Sequence, residues 1–319
     1  MGELRNKVIV VTQEGMISEG DLLPLKMLAD INYIECKTIE LEKLVELSIG
    51  SDCLMLNYDV VANNFSPDFY RRVKKSRLKM ISCDITGMSW AYPEVARECG
   101  IVLCNTPNYC TDSVAEHILA QILLHSRKIH KAYLDAFSEK SEQITTYKGF
   151  NLKGKTIGIL GAGNIGLRLA EIAQGIGMFP LIWNHKPKST QYEMVDLDTL
   201  RERSDILAVC VKTTPETLGM IDSAFLSRCK KNCIIVNQAG EQLVDHNNLY
   251  EFLSKNIGAG YSGTLSAELL SSPLYNLHNA TFQPPNAWFS DESLAELRRI
   301  WVDNVVSFIN GGINNYVAQ

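Results

Sequence analysis

Gly161, Gly163 and Gly166 stand at GxGxxG spacing, directly after the apolar run 156–160 and at the start of a helical pattern. That arrangement suits the pyrophosphate of a dinucleotide. Gly161 makes the tight turn, Gly163 lets the backbone approach the phosphates and Gly166 lets the helix pack closely. The helix start at Asn164 and Ile165 adds N–H donors and a positive dipole end. The plainer alternative is a glycine-rich turn with no ligand. After the next strand such a motif places a carboxylate against the ribose hydroxyls; here that position is Asn184, followed by His185, Lys186 and Lys188. An amide does not repel a 2′-phosphate, so NADP stands beside NAD as the cofactor, with weak discrimination between them. Solvated surface side chains are the competing reading of the two lysines. No metal is expected: the 9 cysteines are scattered without a CxxC pair and read as reduced core residues.

The elements that hold this turn follow a regular alternation. Apolar or β-branched runs at 156–160, 181–184, 206–211, 233–237 and 257–261 are separated by helical patterns, which predicts a doubly wound parallel sheet. An earlier alternation has strands at 8–12, 34–36, 53–57, 80–83 and 101–104, with helices around 21–29, 41–47, 67–75 and 92–98. The break at Asn105, Thr106, Pro107 and Asn108 leads into a linking helix over 111–127 with Thr111 or Asp112 as its cap. Leu294, Leu297, Trp301, Val305 and Phe308 follow helical spacing and predict a tail that packs back on the first domain. The fold class expected is therefore α/β, with two doubly wound parallel-sheet domains.

Composition agrees. The chain has 319 residues, 46% hydrophobic and 21% charged, with Lys+Arg 31 against Asp+Glu 36 and a formal charge of −5. That length suits about two domains with full cores and excludes disorder and fibres. The acidic balance argues against nucleic acid or an anionic membrane as the main partner and favours a small molecule. No apolar run approaches the length of a membrane span, and residues 1–7 lack the apolar segment of a signal peptide, so a cytoplasmic protein is expected.

Several blocks resemble the D-isomer-specific 2-hydroxyacid dehydrogenases: Thr86-Gly87, Asp112 through Glu116-His117, Leu152 through Gly166, Thr213 to Thr217 including Pro215, Val236-Asn237 with Asp245, and Ser272-Pro273-Leu274 leading to Asn279. The resemblance implies a flavodoxin-like substrate domain over 1–105 and 286–319, an NAD(P)-binding Rossmann domain over 106–285, an active-site cleft where they meet, and a homodimer. It adds Thr213 and Pro215 to the cofactor-binding residues.

The positions that carry the family's chemistry depart from its pattern. Three residues after Asn237 the family has an arginine that clamps the substrate carboxylate, and this chain has Gly240. Ser262 stands for an aspartate and Ala267 for a glutamate, with Glu268 one step away; Pro285 stands for the general-acid histidine. A 2-keto acid needs a cation for its carboxylate and a proton donor for its oxygen, and glycine and proline supply neither. Around the expected site remain Asp84, the backbone of Thr86, Gly87 and Met88, and Trp90, Tyr92, Gln238, Glu241, Glu268, Gln283 and Trp288. This set is acidic and aromatic, and it suits a neutral or cationic substrate. Glu241, Glu268 and Asp84 are the candidate acid–base groups, with His117 read as structural and His246 as solvated. Three functions stand: an NAD(P)-dependent oxidoreductase with an altered, non-2-keto-acid substrate, for instance in specialised biosynthesis; a catalytically silent dinucleotide-binding protein serving as sensor or partner module; and a non-redox enzyme that keeps the cofactor structurally or has lost it.

Overall fold

The computed structural model describes residues 5–138 and 143–317; positions 1–4 and 318–319 of the expected first domain and 139–142 of the second lie outside the described residues. The chain divides into two compact units, Met1–Cys110 with Ser290–Gln319, and Thr111–Phe289.

The first unit alternates strand and helix: β1 (Asn6–Thr12), α1 (Leu23–Lys26), β2 (Ala29–Glu35), α2 (Leu41–Ile49), β3 (Cys53–Leu56), α3 (Tyr58–Val61), α4 (Pro67–Val73), β4 (Met80–Cys83), α5 (Pro93–Glu98) and β5 (Val102–Cys104). The strands pair in parallel in the order β2-β1-β3-β4-β5, the flavodoxin-like order, whose switch point lies between β1 and β3. Every residue of β3 and β4 is buried, as expected of central strands covered on both faces. The C-terminal helix, Asp291–Ile309, belongs to this unit. Its fully buried Trp301 donates from Nε1 to the Ser82 carbonyl of β4 at 2.9 Å, and Asn304 Nδ2 donates to Ser82 Oγ at 3.1 Å.

The second unit contains α6 (Thr111–Ser126), α7 (Ile129–Phe137), β6 (Thr156–Leu160), α8 (Asn164–Gly175), β7 (Phe179–Trp183), β8 (Glu193–Met194), α9 (Leu197–Arg203), β9 (Ile206–Val209), α10 (Ser223–Ser227), β10 (Ile234–Asn237), α11 (His246–Lys255), β11 (Gly260–Thr264), α12 (Ala267–Leu270) and β12 (Ala280–Gln283). Its sheet runs β12-β11-β10-β9-β6-β7-β8, all parallel, with the switch point between β6 and β9. Ligands of such sheets bind beyond the carboxyl ends of the strands at that point.

Several elements differ from the sequence reading, among them α1, β2 and β11, and α7, β8 and β12 were not expected at all. The helix expected over 21–29 is only Leu23–Lys26, because Ala29 already pairs with Asn6. Strand β2 is seven residues long where three were expected; its polar Asp30 and Asn32 hid an edge strand that pairs with β1 along its whole length. The strand expected over 257–261 starts at Gly260 instead, since Ile257 is 85% exposed in a turn, and it runs on through Ser262 and Gly263 to pair with the unanticipated β12.

Candidate functional site

Strand β6 delivers the chain to Gly161, whose φ of 113° is one that side chains with a Cβ rarely adopt. A Cβ here would stand 2.8 Å from the Cys210 carbonyl oxygen, and one on Gly166 would stand 2.1 Å from that of Gly161. Packing within the protein therefore demands both glycines. Gly163 is different: it is extended, it caps α8, and no protein atom lies within 4 Å of where its Cβ would be. The space beside it is open, and the first turn of α8 carries no acid to oppose the helix dipole. A pyrophosphate would fit this cradle beside the backbone of Gly163, Asn164, Ile165 and Gly166.

Asn184, at the end of β7, holds the turn itself. Its Oδ1 accepts from the Ala162 N–H at 3.0 Å and its Nδ2 donates to the Lys186 carbonyl at 2.7 Å. One Nδ2 hydrogen and one Oδ1 lone pair remain for a ribose. Lys188 Nζ donates to the Ala162 carbonyl at 2.6 Å, so a cation lies directly on the glycine turn. His185, Lys186 and Lys188 are all exposed, and the lysines have no carboxylate partner among the described residues.

The loops after β9 and β10 meet. A Cβ on Gly240 would stand 2.8 Å from Thr213 Oγ1, which places an expected cofactor residue against an expected substrate residue; Pro215 is exposed on the same β9 loop. Asn237 shapes the β10 loop, its Nδ2 donating to the Gly240 carbonyl at 2.8 Å and its Oδ1 accepting from Ala239 N–H at 3.1 Å. Gly240 itself has φ 151°, again a conformation for glycine. Gln238 and Glu241 are half-buried, and Glu241 Oε2 is sealed without a hydrogen-bond partner. Burial pushes the nearby Tyr261 hydroxyl up to about 12, opposed by Asn237 and assisted by the Glu241 charge. Glu268 is exposed on the first turn of the four-residue α12, apart from this buried set. Pro285 is exposed, and Trp288 is half-buried with its ring edge-on to Phe289 at 5.1 Å.

In the first unit, Asp84 follows β4 and is only 5% exposed. Its Oδ1 accepts from the Tyr58 N–H at 2.8 Å and its Oδ2 from Asn57 Nδ2, so it caps α3. Thr86 Oγ1 donates to the Thr106 carbonyl at 2.9 Å, and Gly87 is exposed beside open space. Met88, expected to contribute backbone to a substrate site, sends its side chain into the core. Trp90 packs edge-on to Tyr58 and Phe65 and donates from Nε1 to the Gly87 carbonyl at 2.9 Å, which steadies that loop. Tyr92 is exposed with φ 49°.

Residues 119–287 match the family described as D-isomer specific 2-hydroxyacid dehydrogenase, NAD binding domain. A glyoxylate reductase of Thermococcus litoralis is 31% identical over 252 residues, 74% of this chain and 76% of the relative. The chain belongs to the D-isomer-specific 2-hydroxyacid dehydrogenase family. A glycerate dehydrogenase of Methylorubrum extorquens is 30% identical over 251 residues, 75% of this chain and 79% of that protein. Among solved structures, an acyclic imino acid reductase in complex with NADPH and D-Arg superposes with a TM-score of 0.87 at 21% identity, covering 98% of this chain and all of that one. As a member of this family the chain is an NAD-binding oxidoreductase by fold. No helix among the described residues is long and apolar enough to cross a membrane, and no group of three metal-ligating side chains is found among them.

One histidine lies otherwise than the sequence suggested, and a second makes a contact the sequence did not show. His246 is not solvated: it opens α11 half-buried, and its Nε2 is sealed without a partner. His117 is tied to Gln283, a contact hidden from sequence reasoning because β12 itself was not read. The nucleotide turn gives a direct test. Gly163→Val is expected to fold normally, given the open space, and to weaken NADH and NADPH binding at least about tenfold in a fluorescence titration, since a side chain would displace the pyrophosphate. Unchanged binding would show that the turn holds no dinucleotide.

Proposed function

We propose that this chain is an NAD(P)-dependent oxidoreductase acting on a neutral or cationic carbonyl compound or imine rather than on a 2-keto carboxylate. The reading rests on the β10 loop. Gly240 stands where the family resemblance calls for an arginine, and its φ of 151° builds the absence of that side chain into the backbone. The loop offers Glu241, Gln238 and Asn237 in place of a cation. Anionic substrates lose their clamp in such a site, while an iminium or ammonium gains acceptors. A fold neighbour described as an acyclic imino acid reductase in complex with NADPH and D-Arg supports only the C=N half of the reading, since an imino acid carries a carboxylate. The test is a panel: Δ1-pyrroline, methylglyoxal and phenylacetaldehyde with NADH or NADPH. Turnover of at least one member well above that of pyruvate is expected. Binding of cofactor without any turnover would make the chain a silent dinucleotide-binding module instead.

Both cofactors are expected to bind, with less than a hundredfold preference for NAD, because Asn184, Lys186 and Lys188 offer no carboxylate against a 2′-phosphate. A homodimer is part of the same reading. Helix α7 buries none of its residues and exposes Ile129 at 51%, Tyr133 at 61%, Leu134 at 61% and Phe137 at 73%, an apolar face that a second copy would cover. Light scattering at micromolar concentration should give twice the chain mass of 35.7 kDa. A monomer would remove this part of the proposal.

A further inference from the structure

The proposed reaction needs a proton at the substrate heteroatom, and the exposed ring of Pro285 has none to give. An imidazole lies against the same strand end. His117, in the first half of α6, is half-buried, with Nε2 2.9 Å from Gln283 Oε1 at the carboxyl end of β12. Gln121, one turn along α6 and 4% exposed, brings its Nε2 to 2.6 Å from the same oxygen and accepts at Oε1 from Ser262 Oγ at 3.0 Å. The Ser262 hydroxyl also lies 3.0 Å from His125 Nε2 and 2.6 Å from Thr281 Oγ1; assigned to Gln121 Oε1, it leaves Gln121 Nε2 as donor to Gln283 Oε1 and puts a hydrogen on the His117 nitrogen facing that oxygen. In that assignment the neutral ring is the Nε2–H tautomer. Its Nδ1 has no hydrogen-bond partner among the described residues, and the ring lies at the carboxyl end of the edge strand β12, on the ligand-bearing end of the sheet but three strands from β9 at the switch point.

We propose that His117 is a catalytic residue, holding at Nδ1 the proton that passes to the substrate nitrogen or oxygen, with Gln283 and Gln121 as positioning residues. The inference rests on the oxidoreductase reading above. Reduced nicotinamide, when bound, supplies a hydride. As the C=O bond of a carbonyl or the C=N bond of a neutral imine opens, its carbon gains that hydride and its heteroatom gains the Nδ1 proton; an iminium, which already carries its N–H, takes the hydride alone. The ring is left neutral, with Nε2–H still on Gln283, and water reprotonates it. Burial holds the imidazole pKa below its ordinary value despite the Gln283 acceptor. The cationic donor is therefore plentiful only on the acid side, and reduction should slow as pH rises.

Two variants test the inference, with the substrate panel above as probes. His117→Asn is expected to lower kcat for reduction about 10²–10³-fold and to abolish the pH limb, with the NADPH Kd unchanged within twofold by fluorescence. Gln283→Glu sets a carboxylate against Nε2–H and should raise the His117 titration midpoint, followed by NMR, by about one pH unit or more, carrying the kinetic limb with it. A merely structural histidine would not move that limb. If His117→Asn keeps kcat within threefold, or if the limb stays put in Gln283→Glu, the inference falls while the oxidoreductase reading stands. Should His117→Asn misfold, Gln283→Glu decides alone. If the wild-type protein turns over no member of the panel, both readings fall together.

Discussion

Pyruvate, glyoxylate, hydroxypyruvate and phenylpyruvate are expected to be reduced at no more than about 10⁻⁴ of an ordinary enzyme rate, below roughly 10⁻³ s⁻¹ against a typical 10 s⁻¹. Two contributions are missing from the family's pattern, a bidentate cation at Gly240 and an acid at Pro285, and each is typically worth about 10²–10⁴ in rate. If His117 supplies the proton, only the clamp is missing and the ceiling relaxes to about 10⁻² of an ordinary rate. Restoring the arginine does not repair this. At φ 151° and ψ 139°, position 240 is held in backbone geometry that a residue with a Cβ adopts only under strain, a cost of about 1–3 kcal/mol. The contact with Thr213 Oγ1 is the lesser obstacle, because that side chain can turn away. Gly240→Arg is therefore expected to lower the midpoint of urea unfolding and to leave pyruvate turnover below about 1 s⁻¹. Wild-type turnover above that rate with any of these acids would show that another group clamps the carboxylate, and the altered-substrate reading would be withdrawn.

The nucleotide turn was legible because its chemistry is local. Gly161 and Gly166 are dictated by a turn and a close approach within a few residues of themselves, and such constraints write directly into sequence. Strands β3, β4, β6 and β9 were legible for a related reason: buried on both faces, they are continuous apolar runs. Edges were not. β2 and β12 are held by their neighbours' backbone hydrogen bonds, and their side chains alternate too weakly to announce a strand. Losing β12 also lost the contact of Gln283 with His117, which spans 166 positions of sequence and depends on a register that no local pattern encodes. Lys188 was visible as a charge, but its placement on the Ala162 carbonyl depends on how the loop after β7 folds back. Asp84 shows the limit most clearly. In the sequence it is a carboxylate after a strand, and only the fold shows both of its oxygens engaged in capping α3.

That capping role leads to the second large effect, on stability. Burial pushes the Asp84 carboxyl up to about 6 from 3.8, against the hydrogen bonds from Asn57 Nδ2 and the Tyr58 N–H that favour its charge, while Asp59 adds repulsion. The folded protein thus binds this proton more tightly than the unfolded chain. Its contribution is fully present below pH 3.8 and is lost as pH rises through about 6, a change of roughly 3 kcal/mol for a shift of about two pH units. Asp84→Asn removes the titration. The new amide keeps an oxygen for the Tyr58 N–H, and Asn57 can turn its own amide to receive the added N–H, since its Oδ1 is buried without a partner. Urea unfolding at pH 4, 5, 6 and 7 should therefore show the variant gaining on the wild type by up to about 3 kcal/mol across this range and levelling off above it. A difference that stays constant with pH would mean that Asp84 titrates alike in the folded and unfolded chain. Activity separates the two roles this residue can have. A stabilised variant that keeps its kcat leaves Asp84 a helix cap, whereas a stabilised variant that loses kcat returns it to the chemistry the sequence first suggested.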